Sequence, residues 1–255
     1  MSKEMSFNGM FYPDSCEEIK SWISSVKKSF KFEKKEVKAA IVPHAGYIYS
    51  GENALSAYLK IKKTFSNIVL IGPSHRVAFS GASIGLFDSF KTPCGEIEND
   101  LVLAKELKER FSWLSFLKEA HNEHSTEVQL PFIKNIFEGT KVVEIVYSDI
   151  SLGNLVELLD FCAKKDTLLL ISSDLSHFYT LDEAKELDEN CLLAIKELDL
   201  SKLKKCEACG IMGIGAIIEV AKKRGWKSSD IKYTTSFDRS KDASSVVGYA
   251  SALFS

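Results

Sequence analysis

The chain has five histidines, His44, His75, His121, His124 and His177, and three of them follow short apolar runs. His44 comes after Ala40-Ile41-Val42-Pro43, and His75 after Leu70-Ile71-Gly72-Pro73-Ser74. His177 comes after Leu170-Ile171-Ser172-Ser173-Asp174-Leu175-Ser176. A neutral imidazole nitrogen is a strong ligand for iron, zinc or copper. A carboxylate completes such a set, and Asp238 lies just past a β-rich run that ends near Ser236. Two histidines and one carboxylate with open positions describe a non-haem Fe(II) centre. The same ligands plus a water describe a catalytic zinc site, and the pattern alone does not choose between them. The histidines are too far apart in sequence for a compact motif, so only the fold can bring them together.

Other residues admit two readings each. His124 and Glu127 are three apart, so on a helix they share a face. They either point into a pocket together or form a polar first turn in which the acid suits the helix dipole. Asp174, three residues before His177, either orients that imidazole or caps a helix that begins near Leu175. Tyr47 either donates a hydrogen bond to a ligand or packs as a core aromatic. Cys206 and Cys209 form a lone CxxC, which without a second pair is neither a zinc nor a redox motif. Cys94 reads as structural.

The elements that would position these groups follow from periodicity. Residues 37–42, 67–71, 142–147 and 167–171 are short, β-branched apolar runs bounded by turn signals, as expected for strands buried on both faces. Amphipathic patterns lie over 51–63, 99–110, 127–137, 155–164 and 180–198, the last opening on the capping box Thr180-Leu181-Asp182-Glu183. This alternation predicts a three-layer α/β/α sandwich around a mixed, largely parallel sheet. Residues 231–236 and 245–250 predict an antiparallel hairpin. With no repeat and no linker, residues 1–255 read as one domain. In such a sheet, ligands bind beyond the carboxyl ends of the parallel strands, which is where His44, His75 and His177 fall.

Composition narrows the class further. Hydrophobic residues make up 45% and charged residues 27% of the chain, which excludes disordered, collagen-like and coiled-coil classes. A formal charge of −2 gives no electrostatic footprint for nucleic acid or an anionic membrane. No stretch approaches the roughly 18 apolar residues of a membrane helix, and the first residues lack a signal-peptide core. Six cysteines are too few for a disulfide scaffold. The expectation is a cytoplasmic protein with reduced thiols.

Four blocks carry a resemblance. They are Pro43-His44-Ala45-Gly46-Tyr47 with Tyr49-Ser50-Gly51, Gly72-Pro73-Ser74-His75, Glu123-His124-Ser125-Thr126-Glu127-Val128-Gln129-Leu130-Pro131, and Ser172-Ser173-Asp174-Leu175-Ser176-His177. Together with Phe11-Tyr12-Pro13, Thr92-Pro93 and Gly95, and Ser244-Ser245-Val246 with Tyr249-Ala250, the chain resembles the Memo family, also labelled AmmeMemoRadiSam system protein B. The resemblance runs from about Phe11 to the C-terminus.

It implies a fold like that of class III extradiol dioxygenases and a non-haem Fe(II) site, with zinc or copper as alternatives. His44 and His75 match the family's metal-site histidines. The third metal position falls at Asp238, where some Memo proteins carry cysteine. His177 matches an acid/base histidine, with Asp174 and His124 beside it in the catalytic set. Cys209-Gly210 resembles a family element that opens a buried helix. The implied activity is an Fe(II)-dependent oxidoreductase acting on a small, aromatic molecule. A non-catalytic protein binding a small molecule or peptide in its cleft, and a zinc-dependent hydrolase, stay open. The family label also associates such proteins with a radical-SAM companion.

Overall fold

The computed structural model describes residues 1–164 and 166–255, and each of the four apolar runs forms a strand in it. The strands are β1 Ala39–Val42, β2 Asn67–Pro73, β3 Ala82–Ile84, β4 Ser89–Thr92, β5 Gly95–Glu98, β6 Leu114–Ser115, β7 Lys141–Tyr147, β8 Thr167–Ser172, β9 Asp174–Tyr179, β10 Ser228–Thr235 and β11 Val246–Phe254. The α-helices are α1 Cys16–Ser29, α2 Glu52–Lys60, α3 Leu101–Arg110, α4 His124–Glu127, α5 Leu130–Ile136, α6 Leu152–Cys162, α7 Leu181–Glu197, α8 Leu200–Leu203, α9 Ile211–Arg224 and α10 Phe237–Ser240.

The large sheet has the order β10-β11-β1-β8-β2-β7-β3-β6, with β9 also pairing with β11. Its centre is parallel: β8 lies between β1 and β2, and β7 flanks β2 on the other side. The expected hairpin forms as the antiparallel pair β10 and β11, and β11 joins β1 antiparallel. Side chains alternate across each central strand. Ala39, Ile41, Val69, Ile71, Leu169 and Ile171 enter one core with α6, α7 and α9. Ala40, Val42, Ile68, Leu70, Leu168 and Leu170 enter the other with α1, α2 and α5. Two cores on opposite faces of one sheet make the three layers. Among the described residues, no helix is long and apolar enough to cross a membrane.

Two expectations are corrected. Four cysteines expected as reduced thiols are paired, Cys16 with Cys94 and Cys191 with Cys206, while Cys162 and Cys209 lie outside these two bridges. Cys206 is therefore bonded outside its CxxC, and each pair joins segments that only tertiary packing brings together. Likewise no helix begins near Leu175. Asp174 opens β9, held by β11, so the capping reading of that residue fails.

The Cys16–Cys94 bridge fastens the start of α1 to the β4–β5 hairpin across 78 residues of sequence. The double variant Cys16→Ser/Cys94→Ser should lose roughly 2–4 kcal/mol in urea unfolding under oxidising conditions. Equal stability of the variant and the parent there would mean that the thiols are free. On the opposite layer, Asp160 of α6 receives Lys223 Nζ at 2.7 Å and Arg224 Nε at 2.8 Å from the end of α9. Burial alone would raise this carboxyl, but the two cations hold it below its ordinary 3.8. A lowered folded-state value adds stability above 3.8 and loses it as pH falls through the folded value. The deficit of Asp160→Asn, read from thermal unfolding, should therefore be largest near neutrality and shrink as pH falls below 3.8.

Candidate metal centre

The parallel strands end at one edge, and the site is built there. Leaving β1, His44 is 1% exposed, and its backbone N–H donates to Asp174 Oδ1 at 2.7 Å. Its Nδ1 lies 2.9 Å from Ser172 Oγ, at the end of the neighbouring β8. That hydroxyl donates its single proton to Ser125 O at 2.5 Å and accepts from Gln129 Nε2 at 3.0 Å. With its proton committed, Ser172 can only accept from His44, so Nδ1 carries the hydrogen and Nε2 keeps its lone pair.

His75 follows β2 and His124 opens α4, and Glu123, which is fully buried, lies between them. Its Oε2 accepts the His75 backbone N–H at 2.7 Å. Its Oε1 accepts from His75 Nδ1 at 3.0 Å and lies 2.9 Å from His124 Nδ1. Gly72 allows α4 to approach this closely, because a Cβ there would stand 2.6 Å from Ser125 Oγ.

One nitrogen from each of His44, His75 and His124 lies within 4.8 Å of the other two, which is close enough to share an ion. His44 is buried, whereas His75 and His124 retain 29% and 19% side-chain exposure, so the group opens to solvent on one side. Burial, reinforced by the His75 and His124 charges, lowers the His44 value well below 6.5 and keeps the ring neutral. Burial by itself would raise the Glu123 carboxyl. The N–H groups of His124, His75 and Ser125 outweigh it and hold the acid well below its usual range. Donor set and charge fit a divalent cation.

The remaining candidates fall in different places. Asp174 is buried beneath His44 and anchors its backbone, and burial raises its carboxyl to about 7. His177, on β9, lies outside the three-nitrogen group, near enough for the His75 charge to add to the burial that lowers its value. Asp238 does not join the histidines. It is exposed on α10, its Oδ2 accepts the Thr235 N–H at 2.8 Å, and it lines a separate cavity with Tyr49, Glu52 and Lys232. The turn after β10 uses this carboxylate as a local cap.

Glu127 also turns away from the centre. Its Oε1 accepts from Ser6 N, Phe7 N and Tyr12 Oη, tying down the N-terminal segment. Tyr47 is a packed aromatic, stacked 4.3 Å from Phe132 and donating to Val128 O. An open cleft of about 540 Å³ lies between the N-terminal segment and Tyr47. Phe11, one of its walls, has its ring 4.8 Å from that of His124.

Sequence reasoning missed two residues here. One is Glu123, whose place beside His124 was visible but whose reach to His75 was not. The other is Cys209, whose Sγ lies 3.3 Å from His44 Nε2. Gly210 seats this thiol against the end of β8, since a Cβ there would come within 2.5 Å of Ser173 Cβ. Burial, then the Asp174 charge, pushes the Cys209 thiol up to about 12. It is therefore protonated, and its one hydrogen has two acceptors in reach, the His44 lone pair and Asp174 O at 3.6 Å.

The comparisons agree with this architecture. The family model for Memo-like proteins matches residues 3–253. A MEMO1 family protein of Methanosarcina mazei is 32% identical, with 96% of each chain covered. One from Sulfolobus acidocaldarius is 37% identical over 84% of this chain and 81% of its own length. One from Thermoplasma acidophilum is 32% identical over 99% and 98%. A solved structure of an uncharacterized protein from Escherichia coli K12 matches with a TM-score of 0.53 at 11% identity, covering 86% of this chain and 99% of that one, a likeness of fold alone. The fold and site define an α/β/α protein with a three-histidine edge. The chain belongs to the Memo-like family.

Ser172 gives the first test of this construction. Ser172→Ala should cost on the order of 2 kcal/mol or more in urea unfolding, because Ser125 O, Gln129 Nε2 and His44 Nδ1 all lose a buried partner. A loss below about 0.5 kcal/mol, within the range of ordinary surface changes, would refute the network.

Proposed function

We propose that the protein is a mononuclear metalloenzyme. Its centre holds one divalent ion, Fe(II) in the first reading, through the Nε2 atoms of His44, His75 and His124. One observation carries this reading: three imidazoles from separate elements bring nitrogens within 4.8 Å, while the nearby Ser172 and Glu123 oxygens engage the opposite ring nitrogens. Imidazole suits iron, zinc and copper alike. The iron reading adds the family's likeness to extradiol dioxygenases.

A bound ion would supply Lewis acidity and an exchangeable position for a small molecule or water. The chain's own residues do the rest. Asp174 fixes the His44 backbone, and Phe11 and Phe7 wall the approach beside His124. His177, neutral and outside the ligand set, would move a proton in this reading. Were an ion to take the His44 Nε2 lone pair, the Cys209 thiol would lose that acceptor and keep Asp174 O, 3.6 Å away. The ligand is a small, aromatic molecule entering from the His75 side, and the oxidoreductase reading requires dioxygen as its co-substrate.

A zinc hydrolase is the second reading, favoured by the position of Asp238 outside the group. Three neutral imidazoles plus a water are the ligand set of one type of catalytic zinc site.

Chelator-stripped protein titrated anaerobically with Fe(II) should take up about one ion per chain, as three converging ligands define one site. His44→Ala, His75→Ala and His124→Ala should each abolish this uptake. X-ray fluorescence of protein from its native host should find iron, and the iron form should consume oxygen with a catechol-like compound. Zinc with no oxygen chemistry would favour hydrolysis instead, and no ion uptake at all would end both readings.

A further inference from the structure

A ring nitrogen binds a cation only through a lone pair, so the affinity of an imidazole cluster depends on where each ring keeps its proton. Two of the three rings meet the same oxygen. Glu123 Oε1 lies 3.0 Å from His75 Nδ1 and 2.9 Å from His124 Nδ1. A bare Nδ1 lone pair at that distance from a carboxylate oxygen would be repelled, so both nitrogens carry hydrogen. The carboxylate cannot turn away. Oε2 holds the His75 backbone N–H at 2.7 Å, Oε1 also takes the Ser125 N–H at 3.1 Å, and the side chain is fully buried. Neither Nε2 has a hydrogen-bond partner among the described residues.

We propose that Glu123 is the positioning residue of the centre. This one carboxylate fixes the Nδ1-protonated tautomer of both His75 and His124, presents two Nε2 lone pairs to a single ion, and thereby sets the affinity of the site. The proposal rests on the reading that the three histidines hold a divalent ion. It adds that two of the ligands behave as a unit through a residue that touches no ion. Partners of this kind, mutated singly, typically change metal affinity by 10–100-fold.

Glu123→Gln separates this role from simple helix capping. The amide keeps the shape but has one acceptor oxygen. If its NH2 faces the His75 backbone N–H, two donors oppose each other. If it faces the rings, their Nδ1 protons must move to Nε2, where they block a metal.

The test uses the full-length chain. Zn(II) affinity is read by competition with a chromophoric chelator, and 15N imidazole shifts are read without metal at mildly alkaline pH. In the parent, His75 and His124 should be protonated at Nδ1. In Glu123→Gln, at least one should move to Nε2 while His44, held by Ser172, stays unchanged, and Zn(II) should bind roughly 10- to 100-fold more weakly. Parent rings protonated at Nε2 would overturn the proposal, as would a folded Glu123→Gln protein that binds Zn(II) within about twofold of the parent, well short of the expected loss. Should that variant fail to fold, the parent tautomers decide it: Nδ1 protons on both rings sustain the proposal and Nε2 protons refute it. A parent that binds no Zn(II) would remove the metal centre itself, an outcome distinct from a parent that binds while the variant is unaffected.

Discussion

Desolvation is the constraint on which the rest of this structure depends. Beneath the solvent-facing sides of His75 and His124, the edge where the parallel strands end is a layer of buried polar side chains: His44, Glu123, Gln129, Ser172 and Asp174 are all at most 4% exposed. Each would cost several kcal/mol if left without a partner. They are tolerated because they satisfy one another. Ser172 Oγ links His44, Ser125 and Gln129, while the remaining Gln129 oxygen accepts from Tyr58 Oη at 2.9 Å. Such a network is cooperative, and its members hold a single arrangement together or not at all. The fixed placement of the His44 ring follows from this packing.

The same principle explains how the N-terminal segment comes to wall the site. Lys3 Nζ meets Glu144 Oε1 at 2.6 Å, with 6% and 0% of the side chains exposed. Burial opposes ionisation of Glu144, but Lys3 and His121 outweigh it and hold the carboxyl at about 2. Further along, Glu127 collects Ser6, Phe7 and Tyr12. Two buried acids thus convert a stretch without regular secondary structure into a fixed wall, and its Phe7 and Phe11 rings reach His124. Because Glu127 and His124 share α4, the helix that supplies a candidate ligand also fastens the wall beside it.

How much was legible in the sequence depended on the range of the forces involved. Apolar runs such as 167–171 showed their strands because burial on both faces leaves a local signature, and His44 and His75 could be placed because the ends of such strands share an edge. Asp238 could not. It follows β10, which runs in the direction of β1 but lies at the border of the sheet with β11 between them, so a shared edge does not bring the carboxylate to the histidines. Asp238 is used locally by Thr235 instead. Cys209 was visible only as the opening of a helix, because its approach to His44 depends on Gly210 fitting against Ser173. The disulfides were hidden for a related reason, since nothing near Cys16 in sequence announces that β4 and β5 will be its neighbours.

His121 and Glu144 show that a histidine beside a buried acid does not by itself make a site. As with His75, a carboxylate oxygen accepts from Nδ1, here Glu144 Oε2 at 2.8 Å. But His121 Nε2 lies 2.8 Å from Ser83 Oγ, and ring, serine and acid are all at most 1% exposed. Both nitrogens are spent, so this imidazole braces the turn after β6, and Glu144 serves Lys3 and Thr126 as well. At His75 and His124 the second nitrogen has no such partner among the described residues, and the rings open towards solvent. The separation of framework from function therefore lies in the far nitrogen. Where a protein hydroxyl satisfies it, the pair is architecture; where three such nitrogens converge without one, the fold leaves donor atoms that could share an ion.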